Sequence, residues 1–226
     1  MNNITNGLGC DLTRCFLCRH CLPEWRELIA VKKKTMQVRK GKMLFREGDK
    51  VEGIFFVYSG AVKIHVPWAD GREMIIRFAR SGEILGHRGL GDTVYPISAT
   101  ALEDTVACFV PNEFWESSLR ANAGLTFALM QFYAAELQKA EKRMRDLNHM
   151  DVKGRIANAL LEIEELFGRG EDGTIALNLT RQDISAYAGT TYETVFKFFN
   201  ELIAEGVIVT SGKEIRIVDR QRLMRR

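Results

Sequence analysis

Between Thr35 and Val110 the apolar runs are short and glycines recur at 41, 48, 53, 60, 71, 82 and 86. Between Pro111 and Gly168 there is no proline, and only Gly124 and Gly154 interrupt. One kind of secondary structure cannot satisfy both patterns. The first stretch, with runs such as GIFFVYSG and AVKIHVPWADGREMIIRF, predicts strands joined by turns, with Asp70-Gly71 as a hairpin turn. That spacing suits a small β-barrel or sandwich of about 80 residues. Ahead of it, PEWRELIAVKKKTMQVRKGK predicts a short helix running into a strand. The second stretch predicts helix. In it Met130, Tyr133, Leu137, Ala140, Met144 and Leu147 alternate three and four apart. This is an a/d seam that asks for a partner and so predicts a homodimer, the alternative being a stripe packed within its own domain.

Beyond the seam, DVKGRIANALLEIEELFG predicts an amphipathic helix closed by Gly168, GRGEDG a loop and TIALNL a short strand. TRQDISAYAGTTYETVFKFFNELIAEGVI then predicts two helices meeting at Gly189, and VIVTSGKEIRIV a hairpin turning at Ser211-Gly212. That is the order of a winged helix-turn-helix. The fold class is therefore α+β: an N-terminal β-roll, a long dimerisation helix and a C-terminal winged helix-turn-helix. The expected divisions are 1–24 (cysteine-rich), 25–118 (β-roll), 119–150 (dimerisation helix) and 151–226 (winged helix-turn-helix).

Within the last division, Thr180 is placed to cap one helix, with Asp183 three residues on completing an acidic capping box. Thr190 or Thr191 caps the next. Val195, Phe198, Phe199 and Leu202 then fall on one face, leaving Tyr192, Glu193 and Lys197 on the other. A helix with polar groups at its N-terminal end can enter the major groove, where a glutamate accepts from cytosine N4 and a lysine donates to guanine or phosphate. Any helical hairpin has a charged outer face, but here a wing follows it and a seam precedes it. The net charge of +3 permits nucleic-acid binding without arguing for it.

The stretch LTRQDISAYAGTTYETVFKFFNELIAEGVI closely resembles the DNA-binding helices of the CRP/FNR family of bacterial transcription regulators, through Thr180-Arg181-Gln182-Asp183 and Glu193-Thr194-Val195. The resemblance extends over the full chain in the order roll, long helix, winged helix. It implies a DNA-binding regulator rather than an enzyme. The implied contacts to double-stranded DNA come from Thr180, Arg181, Gln182, Thr191, Tyr192, Glu193, Thr194 and Lys197. It also implies an inverted-repeat operator with a G·C pair read by Glu193, and RNA polymerase as a partner. Tyr192 departs from the arginine of the cyclic-AMP-responsive branch, and Lys197 replaces another. The family's cyclic-nucleotide pocket carries a glutamate and an Arg-Ser pair. Here His87 and Pro96-Ile97-Ser98 stand there, so the phosphate has lost its cation. A buried phosphate without a charge partner is costly, which argues against a cyclic nucleotide. His87 is then expected as a solvent-facing loop histidine.

Four of the five cysteines, Cys10, Cys15, Cys18 and Cys21, fall within twelve residues, and Cys108 stands far away. The N-terminus lacks an apolar signal core and no run is long enough to cross a bilayer, so a cytoplasmic chain with no membrane partner and reduced thiols is expected. Such clustered thiols bind metal or sense redox state. Resemblance to the oxygen-sensing FNR branch implies a [4Fe–4S] cluster on Cys15, Cys18, Cys21 and Cys108, with Cys10 as alternative ligand. The spacing departs from that branch, whose last two N-terminal ligands are five residues apart where these are two. Zn²⁺ on the four N-terminal cysteines, a thiol switch centred on Cys15 and Cys18, and Cys108 as a plain core residue stay open. A thiol-disulfide oxidoreductase would want a βαβ context that Cys15-x-x-Cys18 lacks. The histidines, His20, His65, His87 and His149, form no hydrolase motif.

Overall fold

The computed structural model describes residues 12–68 and 71–226, together with the backbone of residues 2–4. Cys10 and the Asp70 of the expected hairpin turn lie outside the described residues. The strands of the roll form two sheets. One has the order β1 (Asn2–Ile4), β2 (Lys34–Val38), β9 (Thr105–Pro111), β4 (Gly53–Ser59) and β7 (Ile84–Leu85). The other runs β3 (Met43–Phe45), β8 (Ser98–Ala101), β5 (Ala61–Pro67) and β6 (Glu73–Arg80).

The run GIFFVYS of β4 is apolar without alternation because both faces of that strand are covered. Phe55 and Val57 join the core between the sheets, with Val62, Ile64 and Leu85. Ile54 and Phe56 point the other way, into a second apolar cluster. β9 lies antiparallel beside β4, with Phe56 opposite Cys108. Side chains alternate faces along a strand, so Ala107 goes to the inter-sheet core while Cys108 and Val110 join the second cluster. Cys108 thus faces helices rather than strands.

Those helices are α1 (Phe16–His20), α2 (Trp25–Lys32), α3 (Asn112–Ala121) and the start of α4 (Ala123–His149). They bring Leu17, Ile29, Trp115, Leu125 and Leu129 to the cluster, all fully or nearly fully buried. Each such side chain is worth about 1.5–3 kcal/mol relative to exposure. α3 and α4 are separated at Asn122, whose amide donates to Ser118 and whose Oδ1 accepts from the Leu22 N–H at 2.7 Å.

The chain forms two compact units: Met1–Pro67 with Ile76–Leu137, and Trp68–Ile75 with Gln138–Arg226. The second unit contains α5 (Val152–Phe167), α6 (Arg181–Ala188), α7 (Tyr192–Ala204), the hairpin β10 (Ile208–Ser211) and β11 (Glu214–Ile217), and α8 (Arg220–Met224). Asp151 caps α5, accepting from the Gly154 N–H. Ile156, Leu160, Ile184, Val195, Phe198 and Leu202 are buried. Two expectations are corrected. TIALNL buries Ile175, Leu177 and Leu179 alternately, as a strand would, yet it forms only an isolated bridge between Ile175 and Arg169. The wing turns at Gly212-Lys213, one residue later than expected, because Ser211 pairs with Glu214.

Candidate nucleic-acid interface and cysteine site

α6 and α7 are fixed by local chemistry before packing adds anything. Thr180 accepts from the Asp183 N–H at 3.0 Å, and Asp183 accepts from the Thr180 N–H at 3.2 Å, a complete capping box. Gly189 ends α6 at φ +65°, and a Cβ there would meet Leu147 at 2.9 Å. The turn therefore needs glycine twice over, for its backbone and for its space. Arg155 of α5 donates to the carbonyls of Ala188 and Gly189 at 3.1 and 3.3 Å, satisfying groups the helix end leaves open. Of the two candidate threonines, Thr191 is the cap of α7, accepting from the Thr194 N–H.

This frame turns Tyr192, Glu193 and Lys197 to solvent and leaves Thr194 half-buried. Hydrogen bonds from the first-turn backbone and Thr191 hold the Glu193 carboxyl below the usual carboxylate range, helped by Lys197. It is thus an ionised acceptor near neutral pH, as reading cytosine N4 requires. Arg181 is half-buried, its guanidinium over the rings of Phe196 and Phe199 at 5.8 and 5.4 Å. Thr180, Arg181, Gln182 and Tyr192 line one cleft together with Thr210 and Lys213 of the wing. Sequence reasoning had not singled out the wing residues, nor Phe196, which is exposed on the same side as Tyr192.

Of the expected seam, Met130, Leu137 and Met144 are about 60% exposed, Leu147 is 37% exposed, and Ala140 is exposed. Tyr133 departs: it is half-buried and its hydroxyl donates to the His87 carbonyl at 2.5 Å. Phe127, three residues before Met130, is 61% exposed and extends the stripe instead. The signal was present in the spacing, one step outside the window considered.

His87 corrects another expectation. It is buried, not solvent-facing, and lies edge-on to Phe132 and Tyr133 of α4. Neither ring nitrogen reaches hydrogen-bonding geometry. Burial first, then the Arg77 and Arg88 charges, pushes its pKa down to about 3, with the Ile84 carbonyl pulling weakly the other way. Arg88 stands 3.8 Å from Glu136, and the Ser98 hydroxyl accepts from the Glu47 N–H at 3.0 Å. Ile97 is packed into the inter-sheet core.

Cys15, Cys18, Cys21 and Cys108 belong to a single apolar cluster, the last three buried and Cys15 at its edge. α1 reaches the roll through the Phe16 N–H, which donates to Gly82 at 2.9 Å. The backbone of Arg14 comes so close to Gly82 that a Cβ would sit 2.4 Å from its carbonyl oxygen. Cys15, Cys18 and Cys108 line a cleft shared with Arg14 and Lys33, cations able to offset thiolate charge. Burial pushes the Cys21 thiol up, with a hydrogen bond from Arg26 pulling it back. The donor set, four thiols with cations at hand, fits an iron–sulfur cubane. Cys21 belongs to the same cluster but does not line the cleft, and among the described residues no three His, Cys, Asp or Glu side chains converge as a metal group.

Two family descriptions match in the order the fold presents: a cyclic nucleotide-binding domain over residues 35–122 and a Crp-like helix-turn-helix domain over 154–226. The chain is 32% identical to the transcriptional activator protein anr of Pseudomonas aeruginosa, over 91% of this chain and 87% of that one. It is 30% identical to the anaerobic regulatory protein of Bacillus subtilis, over 86% and 83%. The solved structure of FixK2 from Bradyrhizobium japonicum matches with a TM-score of 0.76 at 28% identity, covering 85% of this chain and 96% of that one. A roll, a long helix and a capped, winged helix-turn-helix, shared along nearly the whole chain with such relatives, place this protein in the CRP/FNR family of DNA-binding transcription regulators.

Proposed function

We propose that the protein is an oxygen- or redox-responsive regulator in which Cys15, Cys18, Cys21 and Cys108 hold a [4Fe–4S] cluster. It acts in the cytoplasm as a homodimer that binds an inverted-repeat operator and contacts RNA polymerase. The divisions 1–24, 25–118, 119–150 and 151–226 then correspond to ligand arm, roll, dimerisation helix and DNA reader. One observation carries the reading: thiols separated by nearly ninety residues of chain share one buried cluster. The name of the Bacillus relative, anaerobic regulatory protein, points the same way. When bound, the cluster supplies iron–thiolate bonds that oxygen can break, joining the N-terminal arm to β9.

The chain's own residues give that link a mechanical consequence. Phe16 of α1 packs edge-on against Phe132 of α4 at 5.7 Å, and Leu17 shares its cluster with Leu125 and Leu129. The covered face of α4 thus rests on the cysteine arm, while Phe127, Met130 and Leu137 point outward. Loosening α1 removes support from one face of the helix that offers its other face to a partner. A few kcal/mol of such differential packing is enough to shift a two-state equilibrium. On DNA, Tyr192, Glu193 and Lys197 face base edges, while Arg181, Gln182 and Lys213 lie where phosphates pass.

The loss of cation at the nucleotide phosphate position supports a signal other than a cyclic nucleotide. Ile97 is core, the Ser98 hydroxyl serves Glu47, and Arg88 faces Glu136. Protein purified without air should contain iron and sulfide, show a broad visible absorbance band, and bind its operator more tightly before exposure to air than after. Zinc in place of iron, or measurable heat on titration with cyclic AMP, overturns the reading.

A further inference from the structure

The groove-facing side of α7 is only half polar. Tyr192 and Phe196, one helical turn apart, are 42% and 44% exposed. Their rings stack at 6.3 Å with 20° between planes. Arg181 lies over the Phe196 ring, so the aromatic pair is braced rather than loose. Glu193 and Lys197 occupy the next positions of the same turns, giving an apolar edge beside a charged one. Phe196 is out of phase with the buried Val195, Phe198 and Phe199 and is not one of the buried core residues of its domain.

The major groove offers a distinct donor and acceptor pattern for each base pair and one apolar group, the thymine C5-methyl. We propose that Tyr192 and Phe196 form an apolar edge that reads pyrimidine C5-methyl groups, thymine above all, next to the base pair read by Glu193. The inference rests on α7 entering the major groove as proposed above. It assigns specificity to a residue, Phe196, that makes no hydrogen bond to any base.

The test uses the full-length protein prepared without air and an operator selected from a random duplex pool. Each thymine of the half-site is replaced in turn by deoxyuridine, which removes only the methyl. At one or two positions flanking the Glu193-read pair, binding should weaken about fourfold per methyl, the burial of one such group. In Phe196→Ala that penalty should vanish while salt dependence and G·C selection persist. Placing 5-methylcytosine at those positions should bind better than cytosine, separating recognition of the methyl from recognition of the thymine carbonyl. Equal binding of thymine and deoxyuridine duplexes by the wild-type protein overturns the inference while leaving groove insertion intact, and needs no variant to fold. A deoxyuridine penalty that survives in Phe196→Ala overturns it as well. Absence of salt-sensitive binding to any duplex removes the reading beneath it too.

Discussion

The DNA-reading helix α7 and the cysteine helix α1 both carry their chemistry in the first turns, but they are held in different ways. α7 has thirteen residues, a threonine cap and a buried face of Val195, Phe198, Phe199 and Leu202, while its functional side chains stand in solvent. α1 has five residues and no side-chain cap bond at its N-terminal end, and its thiols lie within the apolar cluster. A short helix is marginal alone and depends on packing for its existence. α7 is therefore built to keep one geometry, whereas the cysteine arm depends on its neighbours to hold it. A regulator needs that asymmetry, since elements that move in switching come from the low-stability end of a structure.

The contrast can be broken by truncating one buried side chain in each helix. Phe198→Ala should cost about 3–5 kcal/mol, read from denaturant unfolding of the helix-turn-helix. Leu17→Ala should cost about 2–3 kcal/mol, because a short helix can settle into the space. It should also speed alkylation of Cys18 and Cys21. Equal costs, with thiol reactivity unchanged, would mean that α1 is as rigidly built as α7. Glu193→Ala should leave stability nearly untouched, since the side chain is in solvent, yet erase about 1–3 kcal/mol of discrimination at its base pair. Competition between matched and mismatched duplexes measures it.

Acid should act on the roll more than on the reader. The buried, neutral His87 has its pKa at about 3 in the folded chain, against the ordinary 6.5 that the unfolded chain recovers. Below about pH 6.5 the unfolded chain takes up a proton that the folded chain refuses, so stability is lost as pH falls toward 3. Around the ring stand Arg77 and Arg88, which oppose a third positive charge, and Glu136, already facing both. Between pH 7 and pH 5 this one group should remove about 2 kcal/mol. His87→Phe should flatten that slope in unfolding curves taken across the range.

Features set by neighbours in the chain were legible beforehand: the Thr180–Asp183 box, the turn at Gly189, the inward face of Val195, Phe198, Phe199 and Leu202, and the exposed Glu193 and Lys197. Each depends on a few consecutive residues. What escaped depends on contacts across the fold. The facing of Cys108 follows from a strand register that no local pattern fixes. His87 lies in a glycine-rich stretch and reads as loop, yet α4 covers it. Tyr133 fits the heptad, but its hydroxyl finds a partner in the roll, so the stripe begins at Phe127 instead. TIALNL has the alternation of a strand, but its backbone pairing stops at an isolated bridge and single bonds to Ile215 and Gly168. Phe196 was the exception, readable from its phase in α7 and passed over among so many apolar neighbours.

The smallest effect tests whether the reader's rigidity begins with its caps. Thr180→Ala removes the acceptor for the Asp183 N–H and the hydroxyl that donates to the Asp183 carboxylate. Loss of a threonine cap typically costs about 1 kcal/mol. Because Arg181 and Gln182 sit in the first turn of α6 and line the cleft with Tyr192, that loss should appear twice. Unfolding should shift by about 1 kcal/mol, and the salt dependence of DNA binding should become shallower as the side chains proposed to meet phosphates lose their fixed position. A stability loss with an unchanged salt slope would mean that packing of Ile184 and Ala188, rather than the cap, positions the first turn of α6.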